Sequence, residues 1–301
     1  MNPKIDMTES HIQQGILDAV PEHANYMTFN LISGADIRSA LLQLAPLIDG
    51  KRVVLGIGLS AVTALSKHIE ALRDFPVIAG AKVDLPVNKA ALWCWLREAE
   101  RGALVSQVQR VTQAVSGAFA LSSCVDAFRF DIGRDLTGYE DGTENPQDQA
   151  ALDAAIVHQR GAAQDGASFV AVQQWQHQWN RFRAMSAEQQ DNAVGRRRSD
   201  NEELDHAPQT AHVKRTAQES FEPEAFVLRR SMPWSAGTQS GLYFVAFGHT
   251  PDAFEAQLTR MAGAEDGIVD ALFGFSSPLT GRYFWCPPMR DGKVDLSVLL
   301  N

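Results

Sequence analysis

A chain of 301 residues, 45% hydrophobic and 21% charged, can bury a sizeable core as one large domain or two medium ones, and this composition excludes an intrinsically disordered chain. A formal net charge of −9 argues against nucleic acid as the main partner, because phosphate binding needs a basic face. No stretch approaches eighteen uninterrupted apolar residues, and residues 1–22 carry no basic segment ahead of an apolar one, so the reading is a non-exported, cytoplasmic protein that does not engage the membrane.

In chain order, residues 25–32 read as a strand closed by Ser33-Gly34, followed by a helical pattern over 36–48 and a strand over 52–57. An extra helix is expected near 61–72. A strand follows over 91–96, then Leu104, Val108, Val111 and Val115 recur at helical spacing, and 121–130 returns as a strand. Apart from the insertion, the order is strand, helix, strand, strand, helix, strand, which is the split βαβ or ferredoxin-like arrangement. The second half repeats the theme. Residues 169–174 form a strand, Ser186-x-x-Gln189 opens a short helix as a capping box, and Gly195 ends it. Strands at 226–230 and 241–247 are expected on either side of a turn over 233–237, then an amphipathic helix over 251–261 with Phe254 and Leu258 on one face, and a closing strand at 282–285. The predicted fold is α+β: two ferredoxin-like halves, 1–136 and 137–301, with antiparallel sheets, peripheral helices and a ligand crevice between them.

The run from Asp135 to Pro146 holds several acids and the glycines 138 and 142, with no apolar periodicity to make it core. The glycines permit positive φ or close backbone approach, which would hold Asp141 at a fixed angle. Alone, such a run reads as a solvated acidic loop; a cationic set farther along raises it above that. Arg196-Arg197-Arg198, Lys214-Arg215 and Arg229-Arg230 fall within 35 residues, and in an acidic chain this concentration points to a pocket for a small anion, with a solvated surface patch the equal alternative for any one run alone. Between them lies His212, with no second His, Cys or acid at chelate spacing, and a single neutral imidazole suits axial ligation of a haem iron. The three cysteines, Cys94, Cys124 and Cys286, are far apart and include no Cys-x-x-Cys, which leaves neither a zinc ribbon nor a covalently attached c-type haem.

Gly138-x-x-Asp141-Gly142 with Thr143-Glu144-Asn145-Pro146, then His212-Val213-Lys214-Arg215, then Arg229-x-Ser231-Met232-Pro233, resembles the dye-decolourising (DyP-type) haem peroxidases, in particular their bacterial B subgroup, in order and spacing over nearly the whole chain. The resemblance implies non-covalent haem b in a crevice between the sheet and the helices of the C-terminal half. It implies a peroxidase that reduces hydrogen peroxide through a ferryl intermediate and oxidises dyes, phenols or other small aromatic reductants, built as a homo-oligomer. Carried over residue by residue, His212 matches the proximal haem ligand, Asp141 and Arg229 the distal pair, and Ser231 a polar distal position. Arg229 is preferred to Arg230 from the motif, and the two point to opposite faces of a strand, so only one reaches the haem. Arg196 matches a propionate-binding position, although this chain has Arg197 where the family usually has Thr. Glu144 and Asn145 are expected to fix the loop or touch the haem edge, Leu242 and Phe244 to wall the distal side, and Asp270 to accept a hydrogen bond from the second ring nitrogen of His212. Two other readings stand beside this one: a haem protein of the same fold that handles haem or releases its iron, and a haem-free ferredoxin-like protein whose arginines hold another organic anion. Some family members are packaged in encapsulin shells through a C-terminal tail, and the sequence ending at 296–301, soon after its last strand, argues against one.

Overall fold

Two antiparallel sheets with the same strand order face each other and are joined along their edges. The computed structural model describes residues 11–161 and 163–301; the leader reading made on residues 1–22 lies in part outside them. The first half contains β1 (His23–Leu31), α1 (Ile37–Leu44), β2 (Val53–Ile57), α2 (Leu59–Ala64), β3 (Leu92–Glu98), α3 (Arg101–Val115) and β4 (Phe119–Phe128). The second contains α4 (Asp148–Ala155), β5 (Ser168–His177), α5 (Trp179–Ala184), α6 (Ala187–Val194), α7 (His212–Arg215), β6 (Leu228–Arg229), β7 (Met232–Ala236), β8 (Gln239–Gly248), α8 (Asp252–Met261), β9 (Ser276–Pro278) and β10 (Arg282–Cys286).

The first half is ordered β4-β1-β3-β2. With β6 and β7 taken as one interrupted strand beside β8, the second half runs β10-β5-β8-β6/β7, the same split βαβ order. The halves meet where Ile57 of β2 pairs with Trp285 of β10 and where Ala127 of β4 pairs with Trp234 of β7, which closes the strands into a ring.

Strand alternation divides the core. Tyr26, Trp93, Trp95, Tyr243, Phe247 and Phe284 point into the ring and are fully buried. Tyr26 stacks on Tyr243 with ring centroids 3.9 Å apart and planes 5° from parallel. Burying each such ring contributes about 2–3 kcal/mol relative to exposure, so this two-sided packing joins the halves. The intervening residues Met27, Phe29, Leu92, Cys94 and Leu96 face outward into the cluster that includes Leu41 and Leu44 of α1 and Leu104 and Val111 of α3. The outer face of the second sheet is covered differently. Helix α8 packs Phe254 and Leu258 against Ala171 and Ala246, and the rest of that face, with the segments carrying α6 and α7, encloses a cavity.

Four expectations need correction. The space between the halves, expected to hold a ligand crevice, is filled by the aromatic core, and the cavity lies instead on the outer face of the second sheet. The turn expected over 233–237 is strand β7, paired with β8 from Met232↔Tyr243 to Ala236↔Gln239. Proline, serine and glycine there favour a turn, but Trp234 is buried in the ring with its indole N–H donating to the Trp175 carbonyl at 2.9 Å, and that burial wins. The helix expected over 61–72 ends at Ala64, where the chain turns through Ser66 at φ 57°. The strand expected over 226–230 contracts to Leu228–Arg229.

Candidate active site

The cavity has a volume of about 250 Å³ and lies between the outer face of β5 and β8 on one side and α7, α8 and the loop 133–146 on the other. Each strand sends alternate side chains into it: Gln173, Trp175 and His177 from β5, Leu242 and Phe244 from β8. Phe254, Leu258 and Met261 of α8 add apolar surface.

His212 opens the short helix α7 and lines the cavity. Its Nδ1 lies 2.7 Å from Oδ2 of Asp270, whose side chain is fully buried. Asp270 is held in turn, because Oδ1 accepts the Leu272 N–H at 2.8 Å as the cap of a single 3₁₀ turn. A buried carboxylate on Nδ1 selects the tautomer with a proton there, and Nε2 has no hydrogen-bond partner among the described residues. No group of three or more His, Cys, Asp or Glu side chains among the described residues is arranged to hold a metal ion, so this imidazole is a single nitrogen donor and not part of a protein cage.

Across the same cavity, Asp141 Oδ1 lies 3.6 Å from a terminal nitrogen of Arg229, both half-buried. The Arg229 guanidinium makes no hydrogen bond among the described residues, so its donors face the cavity unspent. Its main chain is tightly held: Asn145 Nδ2 donates to the Arg229 carbonyl at 3.0 Å, and Asn145 Oδ1 accepts the Arg229 N–H at 2.8 Å. Gly142 makes room for that carboxamide. It sits at φ 83°, and a Cβ there would come within 2.7 Å of Asn145 Nδ2. Arg230 points to the opposite side, donating to the Ile16 carbonyl at 3.1 Å, where burial, with Arg97 nearby, pulls its guanidinium down to about 10.

The other expected residues divide. Arg196 reaches the cavity but pairs with Glu144, with Glu203 at 3.5 Å and with the Asn201 carbonyl at 2.8 Å. Glu144 lies at the same rim. Asn145 and Ser231 are not in the wall; the Ser231 hydroxyl accepts the Val245 N–H at 3.3 Å between strands. Of the remaining arginines and lysine in the basic cluster, Lys214 lines the cavity, paired with Glu203 at 2.8 Å. Arg215 is buried in a two-point contact with Asp266, and Arg197 pairs on the surface with Asp200 and Glu202.

Sequence reasoning passed over a polar chain in the wall. His177 Nε2 lies 2.9 Å from Asp135 Oδ1, and His177 Nδ1 lies 3.0 Å from the Ser276 hydroxyl. Burial pushes the Asp135 carboxyl up, but the bonds from His177 and Thr137 outweigh it and hold the group below the usual carboxylate range. The period-2 spacing of Gln173, Trp175 and His177 along β5 was the available signal.

A family model described as Dyp-type peroxidase, C-terminal, matches residues 133–291, a segment that contains Asp141, His212, Arg229 and Asp270. The dye-decolorizing peroxidase of Rhodococcus erythropolis is 28% identical over 295 residues, covering 92% of this chain and 86% of that protein. That of Mycobacterium tuberculosis is 28% identical over 222 residues, 72% of this chain and 66% of its own. Among solved structures, a variant of DypB from Rhodococcus jostii in complex with heme superposes with a TM-score of 0.85 at 25% identity, covering 95% of this chain and 97% of that one. A dye-decolorizing protein from V. cholerae, at 24% identity, shares the fold with a TM-score of 0.82 over 91% of this chain and 96% of its own. With the family match covering more than half of the residues and including both sides of the cavity, the chain belongs to the Dyp-type peroxidases.

Proposed function

We propose that this peroxidase works with a non-covalently bound haem b in the cavity, which His212 would hold through its iron, with Asp141 and Arg229 acting on hydrogen peroxide. The wall fits such a group. One imidazole nitrogen is unpartnered, Leu242, Phe244, Phe254 and Leu258 offer apolar contact, and Arg196 and Lys214 at the rim suit carboxylates. The buried Gln173 Nε2 has no partner among the described residues, which leaves a donor for a ligand to satisfy. No cysteine lines the cavity, which favours non-covalent binding.

A bound haem supplies the redox chemistry for two-electron reduction of the peroxide O–O bond. Asp141 takes a proton from the incoming peroxide and returns it to the departing oxygen. Arg229 is permanently cationic and donates along fixed directions, so it holds the negative charge that develops on the hydroperoxide and the leaving hydroxide. Asp270 keeps the His212 Nδ1 proton in place and leaves Nε2 as the nitrogen available to hold a metal. Leu242 and Phe244 limit water and bulky molecules, so dyes and aromatic reductants donate from outside.

The observation that carries this reading is the unspent Arg229 guanidinium 3.6 Å from Asp141, in the same cavity as His212. Replacing Arg229→Leu should leave haem uptake intact and slow the stopped-flow reaction with peroxide by about 100- to 1,000-fold. An unchanged rate would rule out the distal role. Three unpaired cysteines support a reducing compartment such as the cytoplasm. Exposed Phe130 and Ile132, just past the C-terminal end of β4, support a homo-oligomer, which sedimentation would detect.

A further inference from the structure

Tyr139 is the only one of the four tyrosines in the cavity wall. It is buried with Phe182, Ala193 and Phe275, and its hydroxyl donates to Asp191 Oδ1 at 2.5 Å. Asp191 belongs to α6, is half-buried, and also accepts the main-chain N–H of the exposed Arg198 at 3.2 Å. One end of this pair therefore borders the cavity and the other lies one side chain from solvent. By contrast, the buried phenol of Tyr26 donates only to the Arg230 carbonyl at 3.4 Å, a group that cannot take up a proton.

Removing an electron from a phenol makes its O–H strongly acidic, so oxidation is feasible when a base stands ready at hydrogen-bond distance and hindered when none does. Burial first, then the bond to Asp191, raises the Tyr139 phenol well above its usual range, with Arg198 opposing, so the ground state keeps its proton on oxygen. The electron and the proton must then leave together, along different routes, and the two ends of the pair provide both.

We propose that Tyr139 is a redox-active residue of this peroxidase, giving one electron to the peroxide-oxidised haem while its hydroxyl proton crosses to Asp191. The inference rests on the haem reading above. Only the O–H bond breaks. The phenol becomes a neutral phenoxyl radical, the oxidised cofactor is reduced by one equivalent, and the Asp191 carboxylate becomes a carboxylic acid. A phenol or other aromatic reductant outside the cavity then returns the electron, and Asp191 returns the proton. Reductants too large to pass Leu242 and Phe244 are thereby oxidised without entering.

The test uses the haem-loaded full chain, mixed with one equivalent of hydrogen peroxide and no reductant, freeze-quenched and read by electron paramagnetic resonance. An organic-radical signal is expected that narrows when the protein is made with ring-deuterated tyrosine. Tyr139→Phe preserves the packing and should lose most of that signal while keeping its Soret band and its consumption of peroxide. Asp191→Asn keeps an acceptor but removes the base, and should lose it to a similar degree. An undiminished tyrosine signal in Tyr139→Phe, or none in the parent protein, overturns the proposal while leaving the haem reading intact. A parent protein that takes up no haem overturns both.

Discussion

Asn145 grips Arg229 at both of its main-chain polar groups, donating to the carbonyl at 3.0 Å and accepting the N–H at 2.8 Å. The carboxamide acts as a strand partner for a strand only two residues long, whose other edge pairs Arg229 with Ala246 of β8. Asp141 lies four residues before Asn145 in the same loop. One side chain therefore sets the distance between the acid and the arginine.

For Asn145→Ala, two hydrogen bonds worth about 1 kcal/mol each are lost and Arg229 is free to shift. A displacement near 1 Å costs about 100-fold in rate for a group that must meet a developing charge. The expected outcome is normal haem uptake with a peroxide reaction slowed to that extent, read by stopped flow; a parental rate would show that Asn145 does not position Arg229.

Gly142→Ala should act in the same direction for a different reason. The new Cβ would carry about 1–3 kcal/mol of left-handed backbone strain and displace the Asn145 carboxamide, which lies 2.7 Å from its position. Because both changes loosen one contact, the double variant should be little slower than the slower single one. Additive rate losses would separate the two.

Asp270→Asn keeps an oxygen for the His212 N–H but removes the charge. Haem affinity is expected to fall about 10- to 100-fold and the reduction potential of the loaded protein to rise, with Asp270→Ala more severe in both. Hemin titration and spectroelectrochemistry read these separately. Unchanged affinity and potential in both variants would mean that Asp270 serves only as the cap of the 3₁₀ turn.

The Asp135–His177 contact predicts a pH dependence of stability. A carboxyl whose folded value lies below its unfolded one contributes stability that is fully present above the ordinary carboxylate range and is lost as pH falls through the lower folded value. His177→Gln weakens the pull that depresses Asp135, so the folded value rises and acid unfolding should begin at higher pH. Tryptophan fluorescence against pH gives the midpoint, and a midpoint that stays where it was would contradict the sign.

What was legible in the sequence was local. Ser186 and Gln189 form the reciprocal capping box, and Gly195 ends that helix at φ 93°, because all the groups involved lie within ten residues. Asp141, His212 and Arg229 sit in short runs of distinctive residue types, and the fold brings all three to one cavity. Long-range partners were not legible. His177 meets Asp135 across 42 positions, and Asn145 meets Arg229 across 84, through a strand pairing and a loop path that no local pattern encodes. Trp234 misled for a related reason: its neighbours favour a turn, and only the ring formed by both halves buries it. Closure of that ring rests on Ile57 against Trp285 and on Ala127 against Trp234, pairs from different halves, which periodicity within either half does not reveal.

Titration of the haem-free protein with hemin tests whether His212 supplies the nitrogen that would hold the iron in this cavity. The parent chain should bind one equivalent with a sharp Soret band, while His212→Ala, equally folded by circular dichroism, should show a weak, broadened band and lose haem on gel filtration. A His212→Ala variant with parental affinity and an unaltered Soret band would show that His212 does not hold the haem.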